Sequence, residues 1–213
     1  MSNTSLITSS STIIDSDPKN QLKNKSRDQD SPSRTSVSNL KDTIANLINE
    51  IVEENQIRED LSLKHSNCKH AKSKDLNTYF ISKSKKIPKI SIIDFYDRLV
   101  HYTKLEESTL ILSLMYLDRI CEIGHIKLST YNIHRLILCS IITAIKYQED
   151  DICSDIYYSK VGGVSLDELS KIEEEFLKRI KYTLFVKDED FTKYQSFLVE
   201  YTRKGTDGSQ TID

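Results

Sequence analysis

"STYNIHRLILCSIITAIKYQEDD", residues 129–151, is the stretch whose reading decides the fold. From Leu136 to Ile145 nearly every position is apolar, with no alternation that would mark a half-buried strand. A helix that is apolar around its whole circumference is enclosed by other elements on all sides. It is also too short to cross a bilayer, and the chain has no run of about 18 apolar residues. The stretch therefore predicts the central helix of a bundle, opened by Ser129 or Thr130 as its cap.

The flanking segments supply the surrounding helices. In "IPKISIIDFYDRLVHY" (87–102), Pro88 precedes a helix that Ser91 can cap, and Ile92, Phe95, Leu99 and Tyr102 or Ile93, Tyr96 and Val100 provide the apolar stripe. "EESTLILSLMYLDRIC" (106–121) starts with acids and carries Arg119 near its end, in the sense the helix dipole favours. Leu110, Leu114, Leu117 and Cys121 share one of its faces, and Gly124 closes it. In "VSLDELSKIEEEFLKRIKYTLFV" (164–186), Ser165 and Glu168 have capping-box spacing, and Val164 and Leu169 occupy the positions of a hydrophobic staple. Its core face is Leu169, Ile172, Phe176, Leu177 and Ile180. A short helix over 154–161 lies between the last two of these elements. The prediction is all-α: a five-helix bundle around a central helix, with an extra N-terminal helix and a short C-terminal one.

The chain divides accordingly. Residues 1–37 are rich in Ser, Thr, Asn and Asp without periodicity and are expected to be disordered. Within them Ser31, followed by Pro32 and Arg34, is a possible site for a proline-directed kinase. Residues 38–57 predict a helix striped by Leu40, Ile44, Leu47, Ile48, Ile51 and Val52, and 58–77 a polar loop. Residues 78–201 hold the bundle and the C-terminal helix, built on Phe191, Tyr194, Phe197 and Leu198, and 202–213 a flexible tail.

Composition narrows the function classes. A net charge of −2 over 213 residues argues against a basic nucleic-acid surface. The N-terminus has neither the basic start and apolar core of a secretory signal nor a Met-Gly start, and no membrane association is expected. The four cysteines, Cys68, Cys121, Cys139 and Cys153, form no Cys-x-x-Cys pair, so a reducing compartment, nucleus or cytoplasm, is expected. His65, Cys68 and His70 lie close together but lack a fourth ligand, and no metal site is expected. His101, His125 and His134 are isolated, with no nucleophile at a strained turn, so no active site is expected; His134 reads as a packing residue.

Two charges stand out. Lys146 continues the line Leu138–Ile142, and Glu173 lies among Leu169, Ile172, Phe176 and Leu177. Either the two pair with each other across core helices, or Lys146 snorkels from a helix end and Glu173 sits at the edge of its stripe. The glycine pair in "YYSKVGGVS" (157–165) follows a lysine and a helix. A phosphate loop has its glycines before the lysine and after a strand. Gly162 is therefore expected as a left-handed helix cap, Gly163 as the freedom of the turn, and Ser165 as the next cap.

With these stretches in place, residues 38–201 resemble the single-box cyclins of the P/U type, the phosphate-signalling cyclins. The likeness rests on "ANLINEIVEEN", "MYLDRI" and "FTKY" and most specifically on "NIHRL" followed by "YYSKVGGVS". It implies a cyclin box and a regulatory subunit rather than an enzyme. Such a subunit forms a heterodimer with a cyclin-dependent serine/threonine kinase and activates it, in phosphate signalling or the cell cycle, with no cofactor. It also implies that Lys146 and Glu173 are a pair at the kinase contact, flanked by Thr143, Tyr147, Glu149, Leu177 and Tyr182. A cyclin-like scaffold that binds proteins without activating a kinase is the alternative. Ser91, Phe95 and Arg98 stand where many cell-cycle cyclins carry the Met, Leu and Trp of a patch for Arg-x-Leu motifs, so that docking is expected to be absent or altered. The subgroup's common "YYAKVGG" reads "YYSKVGG" here.

Overall fold

The computed structural model describes residues 34–65, 78–82 and 84–207. These form seven α-helices and one 3₁₀ turn, and no strand occurs among them. The helices are α1 (Arg34–His65), α2 (Ile92–Thr103), α3 (Glu107–Glu122), α4 (Ile133–Gln148), α5 (Asp155–Gly162), α6 (Leu166–Arg179) and α7 (Asp188–Asp207); the 3₁₀ turn is Thr78–Phe80. Helices α2 to α6 are the expected five-helix bundle, and α1 and α7 pack together outside it.

The apolar helix is enclosed as expected. Every residue of α4 from Ile133 to Ile145 except Arg135 is buried. Helices α2, α3, α5 and α6 and the 3₁₀ turn all pack against it. Each Leu or Ile removed from water there contributes about 1.5–3 kcal/mol. The start of α4 differs from the expectation. Asn132 is the cap residue, and instead of Ser129 capping the helix, the Asn132 side chain accepts from the Ser129 amide at 2.9 Å. Asn132 also donates to the Lys127 carbonyl at 2.8 Å, so one amide side chain ties the whole lead-in loop.

Helix α1 is longer than its apolar stripe. Ile44, Leu47, Ile48, Ile51 and Val52 are buried, but the helix continues through the segment 58–65 that the sequence reads as loop. Polar contacts extend it: Arg58 pairs with Glu54 at 3.2 Å, Gln56 donates to Asp60 at 3.1 Å, and Lys127 pairs with Glu59 at 3.1 Å. Helix α7 likewise runs past 201 to Asp207. It is held by buried Leu198, by a hydrogen bond from the Tyr194 hydroxyl to buried Asp118, and by one from Tyr201 to Glu50 at 2.6 Å. The helical start at Arg34 also falls inside the expected 1–37 tail. Ser31, Cys68 and His70 lie outside the described residues, so neither the phosphosite nor the His65–Cys68–His70 group is described.

The paired glycines have different roles from those expected. Gly163, not Gly162, is the left-handed cap, at φ 68° and ψ 31°. Its amide reaches the Lys160 carbonyl at 3.2 Å and the Val164 amide reaches Ser159 at 3.0 Å, the paired bonds of a Schellman turn. Gly162 is the last helical residue, and what it meets is packing: a Cβ there would lie 2.4 Å from Leu138 Cδ2 on α4. Ser165 then caps α6, accepting from the Glu168 amide at 3.1 Å. The Glu168 carboxylate, expected to close the capping box, turns to Arg135 on α4 at 2.5 Å.

Gly162→Ala should cost about 1–3 kcal/mol by overpacking. Combined with Leu138→Ala, it should cost less than the sum of the two single changes by at least about 0.5 kcal/mol in urea denaturation. Additive losses would mean that the glycine is not held by that contact. A pH effect is expected at His134, which is 8% exposed and joins Ile90 O through Nε2 at 3.0 Å. Burial lowers its pKa, with the Ile90 contact opposing and the Arg135 charge assisting. The unfolded chain therefore binds the proton more readily, and stability should fall as pH drops from about 6.5 through the lowered folded value. His134→Gln should flatten that slope.

Candidate functional site

Lys146 stands in the last turn of α4, where a cation suits the helix dipole. Its Nζ donates to Glu173 Oε1 on α6 at 2.7 Å and to Oε2 at 3.0 Å. It also pairs with Asp155 Oδ1 in the first turn of α5 at 2.7 Å. The cluster thus joins three helices, with one cation between two carboxylates. Its setting lies between the two readings of the sequence: the Lys146 side chain is 29% exposed and that of Glu173 14%. Partial burial alone would lower the Lys146 pKa. Hydrogen bonds and charge from Asp155 and Glu173 outweigh it, and the pKa is raised. A lysine so shifted contributes fully below about pH 10.4, and that contribution is lost only as pH rises through its folded value.

The positions flanking the pair do not all lie on the surface. Thr143 is 4% exposed, with its hydroxyl buried and unpartnered, so it sits beneath the face and not on it. Leu177 is partly buried against the core. Glu149 is half-buried and accepts from the Glu106 amide at 3.4 Å, helping to start α3. Tyr147 and Tyr182 are exposed. Tyr182 follows Lys181 in a second consecutive left-handed conformation, each at φ 54°. Such non-glycine residues cost about 1–2 kcal/mol each. The strain is held by α3: Arg119 donates to the Thr183 and Phe185 carbonyls at 2.6 and 2.8 Å, and the Tyr116 hydroxyl to Leu184 at 2.9 Å. Tyr116 also meets Tyr147 edge-on at 6.4 Å, which brings the end of α4 beside this connector.

The site therefore includes residues that sequence reading missed. Phe185, 71% exposed, sits on the pinned connector, and Ile152 and Ile156 are exposed on either side of Asp155. In the sequence Asp155 is only an acid after Ser154, which the structure shows to be the cap of α5. Its register against Lys146 is a tertiary fact. The result is an apolar and aromatic face around a partly covered charge cluster, with the acids Glu149, Asp150 and Asp151 following α4 in the chain. Among the described residues no group of three or more metal-ligating side chains occurs, and no helix is long and apolar enough to cross a membrane.

The family model for cyclins matches residues 7–184. The chain belongs to the cyclin family. It is 33% identical over 111 residues to Cyclin-U2-1 of Arabidopsis thaliana, covering 52% of this chain and 50% of that protein. It is 29% identical over 123 residues to Cyclin-P3-1 of Oryza sativa subsp. japonica, covering 58% and 51%. The PHO85 cyclin PHO80 of Saccharomyces cerevisiae is 31% identical over 149 residues, covering 67% and 51%. This is a cyclin of the P/U type, and it spans about half the length of the curated relatives it matches. The five bundle helices are its cyclin box, with α4 as the third of them.

Because the Lys146 cluster is open to water on one side, it should matter little for folding. Lys146→Met should change the urea-denaturation stability by about 1 kcal/mol or less. A loss of about 3–5 kcal/mol would mark it instead as a buried structural pair.

Proposed function

We propose that this cyclin is the regulatory subunit of a cyclin-dependent serine/threonine kinase. It binds the kinase through the face formed by the C-terminal ends of α4 and α6 and the start of α5, and activates it. The observation that carries the reading is the Lys146–Glu173–Asp155 cluster framed by exposed Tyr147, Ile152, Ile156, Tyr182 and Phe185. Protein interfaces are enriched in aromatic side chains, and on this face exposed aromatic and apolar residues surround a cluster whose charges pair with one another. Family membership and a relative named as a cyclin of PHO85 support it.

The mechanism follows from kinase physics. An active kinase requires the ion pair between its strand lysine and a glutamate on a mobile helix. A partner with higher affinity for the helix-in state shifts the population toward activity. Lys146, held by two carboxylates, presents a fixed cation and a fixed acceptor cluster to that helix, and the tyrosines and Phe185 supply apolar contact. Thr143 acts from beneath, by packing. The chain contributes position and not a reacting group.

The test is co-expression with a panel of cyclin-dependent kinases that includes PHO85, followed by co-purification and a kinase assay with and without this chain. Lys146→Glu and Phe185→Ala should each weaken binding at least about tenfold, since contacts at the centre of such interfaces cost 2 kcal/mol or more when removed. Circular dichroism should be unchanged. Wild-type binding by both variants would refute the assignment of this face, and binding without stimulation would leave a scaffold.

A further inference from the structure

A second feature lies toward the other end of α4. Residues 82 and 84–90, α2, the first half of α4 and the α5–α6 turn line a cavity of about 380 Å³. Its apolar lining includes Phe95, Leu138 and Pro88. Among the described residues, Lys86, Arg98 and Arg135 line it, and no Asp or Glu does.

The cations are not equally committed. Arg135 is paired with Glu168. Arg98 donates one Nη2 bond to the Val161 carbonyl at 2.5 Å, while its Nε is buried without a partner. Among the described residues neither Arg98 nor Lys86 has a carboxylate partner. The Ser82 and Ser84 hydroxyls, 3.1 Å apart, stand at the mouth. His134, nine-tenths buried, also lines the cavity, with Nδ1 unpartnered. The turn at Gly163 passes close by, since a Cβ there would lie 3.3 Å from the Arg98 guanidinium. A partly covered arginine with no carboxylate, beside a free lysine, favours an anion. A small anion alone would leave the apolar lining uncovered.

We propose that this cavity is a docking site for a protein segment carrying a phosphorylated serine or threonine next to an apolar residue. Arg98 and Lys86 take the phosphate oxygens, with the serine hydroxyls as further donors, and the apolar neighbour covers Phe95 and Leu138. Charge complementarity selects this occupant. Arg-x-Leu segments would bring like charge to Arg98. A nucleic acid would call for an extended basic groove and exposed stacking rings, neither of which a single cavity on a chain of net charge −2 supplies. The site does not overlap the kinase face and stands or falls separately from it.

The test uses the full chain, immobilised at fixed salt and offered a degenerate heptapeptide library with phosphoserine at its centre, and twin libraries with serine or glutamate there. The phosphoserine library should be retained at least about tenfold more than either twin, with enrichment of apolar flanking residues. Lys86→Gln, on an exposed side chain that does not endanger folding, and Arg98→Gln, checked by circular dichroism, should each lower retention about tenfold, the loss of one charge-assisted hydrogen bond. Inorganic phosphate should compete. Equal retention of the three libraries, retention unchanged in Lys86→Gln, or tighter binding of a single-stranded RNA heptamer than of the phosphopeptides would each overturn the proposal.

Discussion

A helix that is apolar all round has no face to give to water, and the rest of this molecule follows from enclosing α4. Its buried residues from Ile133 to Ile145 require neighbours on every side, and α2, α3, α5 and α6 supply them. Close approach then becomes the limiting demand. At Gly162 the backbone of α5 comes so near Leu138 that a side chain fits only if Leu138 shifts, while Gly163 turns the chain into α6. The two adjacent glycines thus answer two separate constraints, one steric and one conformational.

The same enclosure leaves α4 polar only where its neighbours end. Near its start, Arg135 and His134 meet residues 82 and 84–90 and the α5–α6 turn. At its last turn, Lys146 emerges between α5 and α6. One buried helix therefore orders two surfaces of different character: a cavity lined by cations, and an aromatic face around a partly covered charge cluster. Each group mixes covered and open charges: Arg135 and Glu173 are largely buried, while Lys86 and Asp155 keep contact with water.

Much of this was legible in the sequence because it depends on local periodicity. The bundle helices and the Ser91 and Ser165 caps follow from spacing along single helices; spacing set Lys146 and Glu173 against apolar faces but left pairing and snorkelling open, and it was the family resemblance that implied the pair. What stayed hidden depends on contacts distant in sequence or on polar support. The extension of α1 past 57 rests on Glu59 reaching Lys127, and that of α7 past 201 follows its anchors to α1 and α3. Thr143 shares a turn of helix with Lys146, yet only the packed structure shows that it is covered. Asp155 and Phe185 needed the register of α5 and the strained 181–182 turn against α3. The glycine roles were exchanged because sequence marks where a chain can turn, but not which residue another helix presses against.

The central claim is that the C-terminal end of α4 and its neighbours form the kinase-binding face. Amide hydrogen exchange of the full chain, with and without a saturating cyclin-dependent kinase that co-purifies with it, tests this most directly. The account predicts slowed exchange across 146–156 and 177–186, with the cavity segment 82–90 unchanged. Unchanged exchange in both former segments, with protection elsewhere on the bundle, would contradict it.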